Sequence, residues 1–123
     1  MEIEVLLLKK FRAKFLNEFN RKNFGNMLEK FENDPAIMQI EKDREEYIRL
    51  SATSNDPKVI LMASFLEDFH KQFEINKQIA KDCMNLDWEK ETAELEFKSM
   101  QVCLDESMKK LYSLLDQFKE VMV

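Results

Sequence analysis

Residues 97–121 read FKSMQVCLDESMKKLYSLLDQFKEV. Phe97, Met100, Leu104, Ser107, Leu111, Leu114, Phe118 and Val121 recur at alternating steps of three and four. This is about three and a half heptads of an a/d seam, the spacing that keeps one face of an α-helix apolar. A second stripe, Leu95, Val102, Met108, Leu115 and Met122, flanks it. A seam that wide needs contacts on more than one side, as a helix has in a bundle.

The same period continues upstream. Leu8, Phe11, Phe15 and Phe19 recur at steps of three and four, and Phe24, Leu28 and Phe31 carry the stripe on after a slip at Lys22–Asn26. Gly25 lies in the slip, so a kink or short break is predicted there. Asn33-Asp34-Pro35 and Asn55-Asp56-Pro57 are two uses of one start signal. Asp accepts from the first free backbone N–H groups, and Pro at the first helical position has no N–H to leave unpaired. Helices are predicted at about 2–32, 35–52, 57–84 and 88–121, with Asp34, Asp56 and Asp87 as N-caps. The third opens with Val59 to Ala63, apolar all round, which predicts its start as the most buried end. The expected fold is all-α, an antiparallel four-helix bundle forming one domain over 1–123. No Gly or Pro forces a turn near residue 85, so the alternative is a helical hairpin with a long coiled-coil-like rod over 57–121.

Composition agrees with this reading. The chain has 123 residues, 45% hydrophobic and 35% charged, with one Gly and two Pro. Tight turns lean on Gly and Pro, so this scarcity argues against β-rich folds. A single Gly also excludes every glycine-rich phosphate loop. A length of 123 supports a core without disulfides or metals. Cys83 and Cys103 form no C-x-x-C pair and sit in apolar stretches. They read as reduced, packed thiols of a cytoplasmic protein. The apolar run Val5–Leu8 is short, preceded by acids and followed by bases, the reverse of a secretory leader. No stretch approaches the apolar length of a membrane span.

Few residues invite chemistry. The only histidine, His70, follows Glu67 by three, a spacing by which helical carboxylate bundles hold metal. Those sites need a second such motif, and this chain has no second His; Glu74, four residues on, makes the group read as a solvated acid–His–acid stripe. The run Glu89, Glu91, Glu94 and Glu96 reads as an exposed acidic helix face. No catalytic, metal or cofactor site is expected, and the chain is read as a non-enzyme.

Charge is unevenly divided. Residues 1–30 hold seven Lys/Arg and four Glu, a net of +3; the remaining twelve Lys/Arg and twenty Asp/Glu give −8. The best reading is a helical protein–protein interaction module, an adaptor, chaperone-like or assembly subunit. It would bury apolar helix faces against another protein or its own copy. The residues expected to do so are Phe11, Phe15 and Phe19, with Leu111, Leu114, Leu115 and Phe118. The alternative is a regulator whose basic first helix (Lys9, Lys10, Arg12, Lys14, Arg21 and Lys22) docks on an acidic protein or nucleic acid. A pI near 5.0 argues against duplex nucleic acid as the main ligand. Internally, the same bases can complement the acidic helices at the rim of the bundle.

Overall fold

The computed structural model describes residues 2–121, the side chains at 118, 119 and 121 excepted. Four helices form one bundle: α1 (Glu2–Asn33), α2 (Pro35–Ser51), α3 (Pro57–Met84) and α4 (Ala93–Val121). There is no strand among the described residues.

Both Asp-Pro signals start helices as expected. The Asp34 carboxylate accepts from the backbone N–H of Ala36 at 2.9 Å, with a longer bond from Ile37, and Asp56 accepts from Lys58 at 3.0 Å. Asp87 does not cap α4. Its carboxylate accepts from the Glu89 N–H at 3.0 Å and closes a local turn, so α4 begins only at Ala93. The connection at 85–92 separates α3 from α4, which excludes the continuous rod over 57–121.

α3 is the hub, since each of the other helices packs against it. Its partners fix the directions. Gly25 lies against Met84, Phe31 meets Phe73, Glu41 meets His70 and Arg44 meets Glu67. As the numbers rise through α1 and α2 they fall along α3. Thus α1 and α2 follow one another along the same side of α3, both antiparallel to it. α4 returns antiparallel on another side, where Gln72 and Asn76 of α3 bond Ser107.

The core has two parts. Phe31, Ile37, Ile40, Leu66, Phe69, Phe73, Leu111 and Leu115 form the larger; Phe24, Cys83 and Leu104 form the smaller. Full burial of one such large side chain is worth about 1.5–3 kcal/mol. Between them lies a buried polar device. Gln72 Nε2 donates to Asn76 Oδ1 and to Ser107 Oγ, and the Ser107 hydroxyl donates to Asn76 Oδ1. Asn76 Nδ2 completes it with a bond to Met108 Sδ at 3.4 Å. A slip of α3 against α4 would leave these buried groups unpaired, so the network selects one register.

Three local expectations give way. α1 is unbroken through Gly25. The start of α3 is not its most buried part: Ile60 and Leu61 are exposed, because α2 ends at Ser51 and covers only one side of that end. Cys83 is buried but Cys103 is exposed, since Cys103 lies off the seam that Leu104 and Ser107 turn inward.

Candidate functional site

The slip in the first helix changes which face is apolar without interrupting the helix. At 3.6 residues per turn, Ala13, Asn20, Phe24, Leu28 and Phe31 fall on one side of α1. All five are buried. Leu8, Phe11, Phe15 and Phe19 fall within roughly 80° of one another on the opposite side. They are 68, 70, 64 and 53% exposed. α1 therefore has two apolar faces: an inner one built into the bundle and an outer one that no described element covers. Phe15 and Phe19 stack at 5.9 Å between ring centroids, so part of the outer face is already ordered.

The inner face is small and polar where the outer one is aromatic. Asn17 meets the α3–α4 connection here, and Ala13 and Leu16 line a groove with it. Asn17 Oδ1 accepts from the Trp88 backbone N–H at 2.9 Å, and the Trp88 indole leans on Phe97 at 5.1 Å. Asn20 Nδ2, the Trp88 indole N–H and Glu96 Oε2 are buried without a hydrogen-bond partner among the described residues. Residues 2–12 are exposed throughout, and Ile3, Val5, Leu6 and Leu7 add apolar surface around the first turns.

All six bases of the first helix, Lys9, Lys10, Arg12, Lys14, Arg21 and Lys22, are exposed. None forms an ion pair with another described residue. Lys9, Lys10 and Arg12 do line a groove of about 580 Å³ whose other wall carries Glu89, Glu91 and Glu94. The groove brings bases of α1 near acids of the α3–α4 connection and of the first turn of α4.

The expected α4 residues are placed differently. Leu111 and Leu115 are buried in the chain's own core, and Leu114 is half-buried against it. Burial within the chain withdraws Leu111 and Leu115 from any surface that this fold offers a partner. The Phe118 side chain lies outside those described, and Met122 outside the described residues.

Glu67 and His70 are each engaged across helices rather than with each other. Arg44 Nε donates to Glu67 at 3.0 Å, and this hydrogen bond and charge hold the Glu67 carboxyl below its ordinary range. His70 Nδ1 lies 2.9 Å from Glu41 of α2. Lys77 bonds Glu74 at 2.8 Å and likewise lowers its carboxyl pKa. Burial pushes the Cys83 thiol up, aided by the charge of Asp82. No group of three or more His, Cys, Asp or Glu with metal-ligand geometry is gathered among the described residues. No described helix is long and apolar enough to cross a membrane.

The partners that spacing could not reveal are Glu41 and Asn17. Glu41 is 29 residues from His70 and Asn17 is 71 from Trp88, and no local signal links such pairs. The inner face of α1 did carry a signal, the run 13, 20, 24, 28 and 31, hidden by Asn20. Fold and surface together define a small helical-bundle protein with an uncovered aromatic helix face. No family model, no characterised protein and no solved structure matches the chain.

Proposed function

We propose that this chain is a non-enzymatic protein–protein interaction module that docks through the outer face of α1. The observation that carries the reading is the aromatic stripe Phe11, Phe15 and Phe19, exposed by more than half on a helix whose other face is built into the core. Monomeric proteins seldom expose contiguous apolar patches of more than a few hundred Å² unless something binds there. Phenylalanine suits such a role because it offers large area for few rotatable bonds. Two unpaired thiols, one of them exposed, suit a reducing compartment such as the cytoplasm.

The test is site-specific photocrosslinking. A benzophenone side chain replacing Phe11 or Phe19 should crosslink to another polypeptide, whether a copy or a different protein. The same side chain at Leu95 or Tyr112, which are equally exposed on α4, should not. Equal crosslinking at all four positions, or none, defeats the reading.

The free bases of α1 support a second reading, in which Lys9, Lys10 and Arg12 dock on an acidic protein or nucleic acid. Charge reversal at Lys9 and Lys10, which helical spacing places off the aromatic stripe, separates the two. It abolishes binding under the second reading and leaves crosslinking from position 19 in place under the first.

A further inference from the structure

We propose that the outer face of α1 pairs with the same face of a second copy of this chain, antiparallel, with Phe15 beside the two-fold axis. The inference rests on the docking reading of that face and names its occupant. Three observations carry it: the area available, the flank charges and the place of Glu18.

Leu8, Phe11, Phe15 and Phe19 keep between 53 and 70% of their surface exposed. At roughly 200 Å² for a large side chain, the four expose about 500 Å² per chain. Two copies face to face remove about 1,000 Å², and the stems of Arg12 and Lys14 at the edges and of Lys22 within the stripe bring this near 1,200 Å², the lower bound of a stable interface. A two-fold arrangement needs no second kind of surface, because one patch serves both partners.

Beside the two-fold axis the flanks are self-complementary in one register, while toward its ends Arg21 comes opposite Lys10 of the other copy. Helical spacing puts Lys14 and Glu18 on one edge of the stripe and Arg12 and Phe19 on the other. In an antiparallel pair, like edges meet, and residues whose numbers add to about 31 face one another. Phe15 then meets its own copy, and Phe11 lies near Phe19 of the second chain. On one edge Lys14 faces Glu18 of the other copy, twice by symmetry. On the other edge the Arg12 guanidinium lies over the Phe19 ring of the other copy, a favourable cation–π placement. All four edge residues are exposed and available for this.

Glu18, an acid among the bases of α1, favours a partner of mixed charge. An anionic lipid surface would press this carboxylate among Phe15 and Phe19 toward a layer of like charge. An acidic partner helix would set it against acids. A partner that brings a base to Glu18 and an acid to Lys14 satisfies both, and a second copy does so with this same edge.

The test uses the full chain in sedimentation equilibrium across a concentration series to about 100 µM, where even a micromolar dimer is well populated. The expected species has twice the 14.8 kDa mass of one chain. Lys14→Glu and Glu18→Lys alone each weaken the dimer about tenfold, since two attractions become two repulsions. The double swap K14E/E18K returns affinity to within about threefold of wild type, a rescue that damage to the fold would not show. In a Cys103→Ser background, Phe15→Cys forms an interchain disulfide. Leu8→Cys does not, because the two copies of position 8 lie about 20 Å apart in this register. A monomer throughout the series overturns the inference, and crosslinking from position 11 to a different protein would then leave the docking reading standing. A double swap as weak as the singles overturns it, as does a Leu8→Cys disulfide forming as readily as that of Phe15→Cys.

Discussion

Two phenylalanines on one helix should answer very differently to truncation. Phe31 is 8% exposed and meets Phe73 edge-on at 6.2 Å, inside the larger core cluster. Phe31→Ala removes the ring and leaves a cavity, for a loss of about 3–5 kcal/mol. Phe15 is on the outer face and touches Phe19. Phe15→Ala gives up part of a stacking contact, worth about 0.5 kcal/mol in so exposed a place. It gains a similar amount in helix propensity, because an aromatic side chain loses more rotamer freedom in a helix than Ala does. The net change should lie within about 0.5 kcal/mol. The assay is equilibrium urea unfolding followed by far-ultraviolet circular dichroism. With a slope of about 2 kcal/mol per molar, Phe31→Ala moves the midpoint down by roughly 2 M and Phe15→Ala by less than about 0.3 M. The chain should be held near 1 µM, so that self-association adds little stability by mass action. A loss above about 2 kcal/mol for Phe15→Ala at that concentration would refute the two-faced description of α1.

Other outcomes follow from single sites. A Cβ at Gly25 would meet only Met84 Sδ, at 3.8 Å, and its φ is not positive. Gly25→Ala should therefore stabilise by about 1 kcal/mol, a rise of about 4 °C in melting temperature, and a fall would mean the helix is bent there. Under native conditions a thiol reagent should label Cys103 quickly and Cys83 only on unfolding, because burial holds Cys83 as the neutral thiol. Equal labelling rates would contradict the smaller core. The Glu67 carboxyl titrates lower in the folded chain than in the unfolded one. Its pairing with Arg44 thus adds stability above the unfolded pKa, and that stability fades as pH falls through the folded value. Glu67→Gln should flatten this acid limb while changing stability near neutrality only slightly, since the pair is partly solvated. An acid limb unchanged by the substitution would show that the bond to Arg44 is not kept in solution.

The helix starts at Pro35 and Pro57 were legible because capping is local: the Asp and the N–H groups it accepts lie within three residues. The α4 seam was legible because Leu104, Ser107 and Leu111 point one way whatever they pack against. Its start was not. Asp87 has the chemistry of a cap, but Trp88 is tied to Asn17, which bends the chain into a turn before the helix can begin. On α1 the period was plain while its meaning was not. Phe11, Phe15 and Phe19 repeat as a core stripe would, and only the position of α3 shows that the core lies on the other side. The same holds for Leu111 and Leu115, whose spacing suits an internal core and an external seam equally. Cys103 shows the reverse error, since apolar neighbours in sequence do not bury a residue that a helix turns outward.

The central place of α3 has a consequence for how the chain is made. Synthesis runs from α1 onward at about 5–20 residues per second, so α1 and α2 precede completion of their scaffold by several seconds. During that interval the inner face of α1, with Phe24, Leu28 and Phe31, is as uncovered as the outer one. The nascent chain thus carries apolar helix surface on two sides at once. The two sides stay open together until Phe73 arrives and begins to cover the inner one.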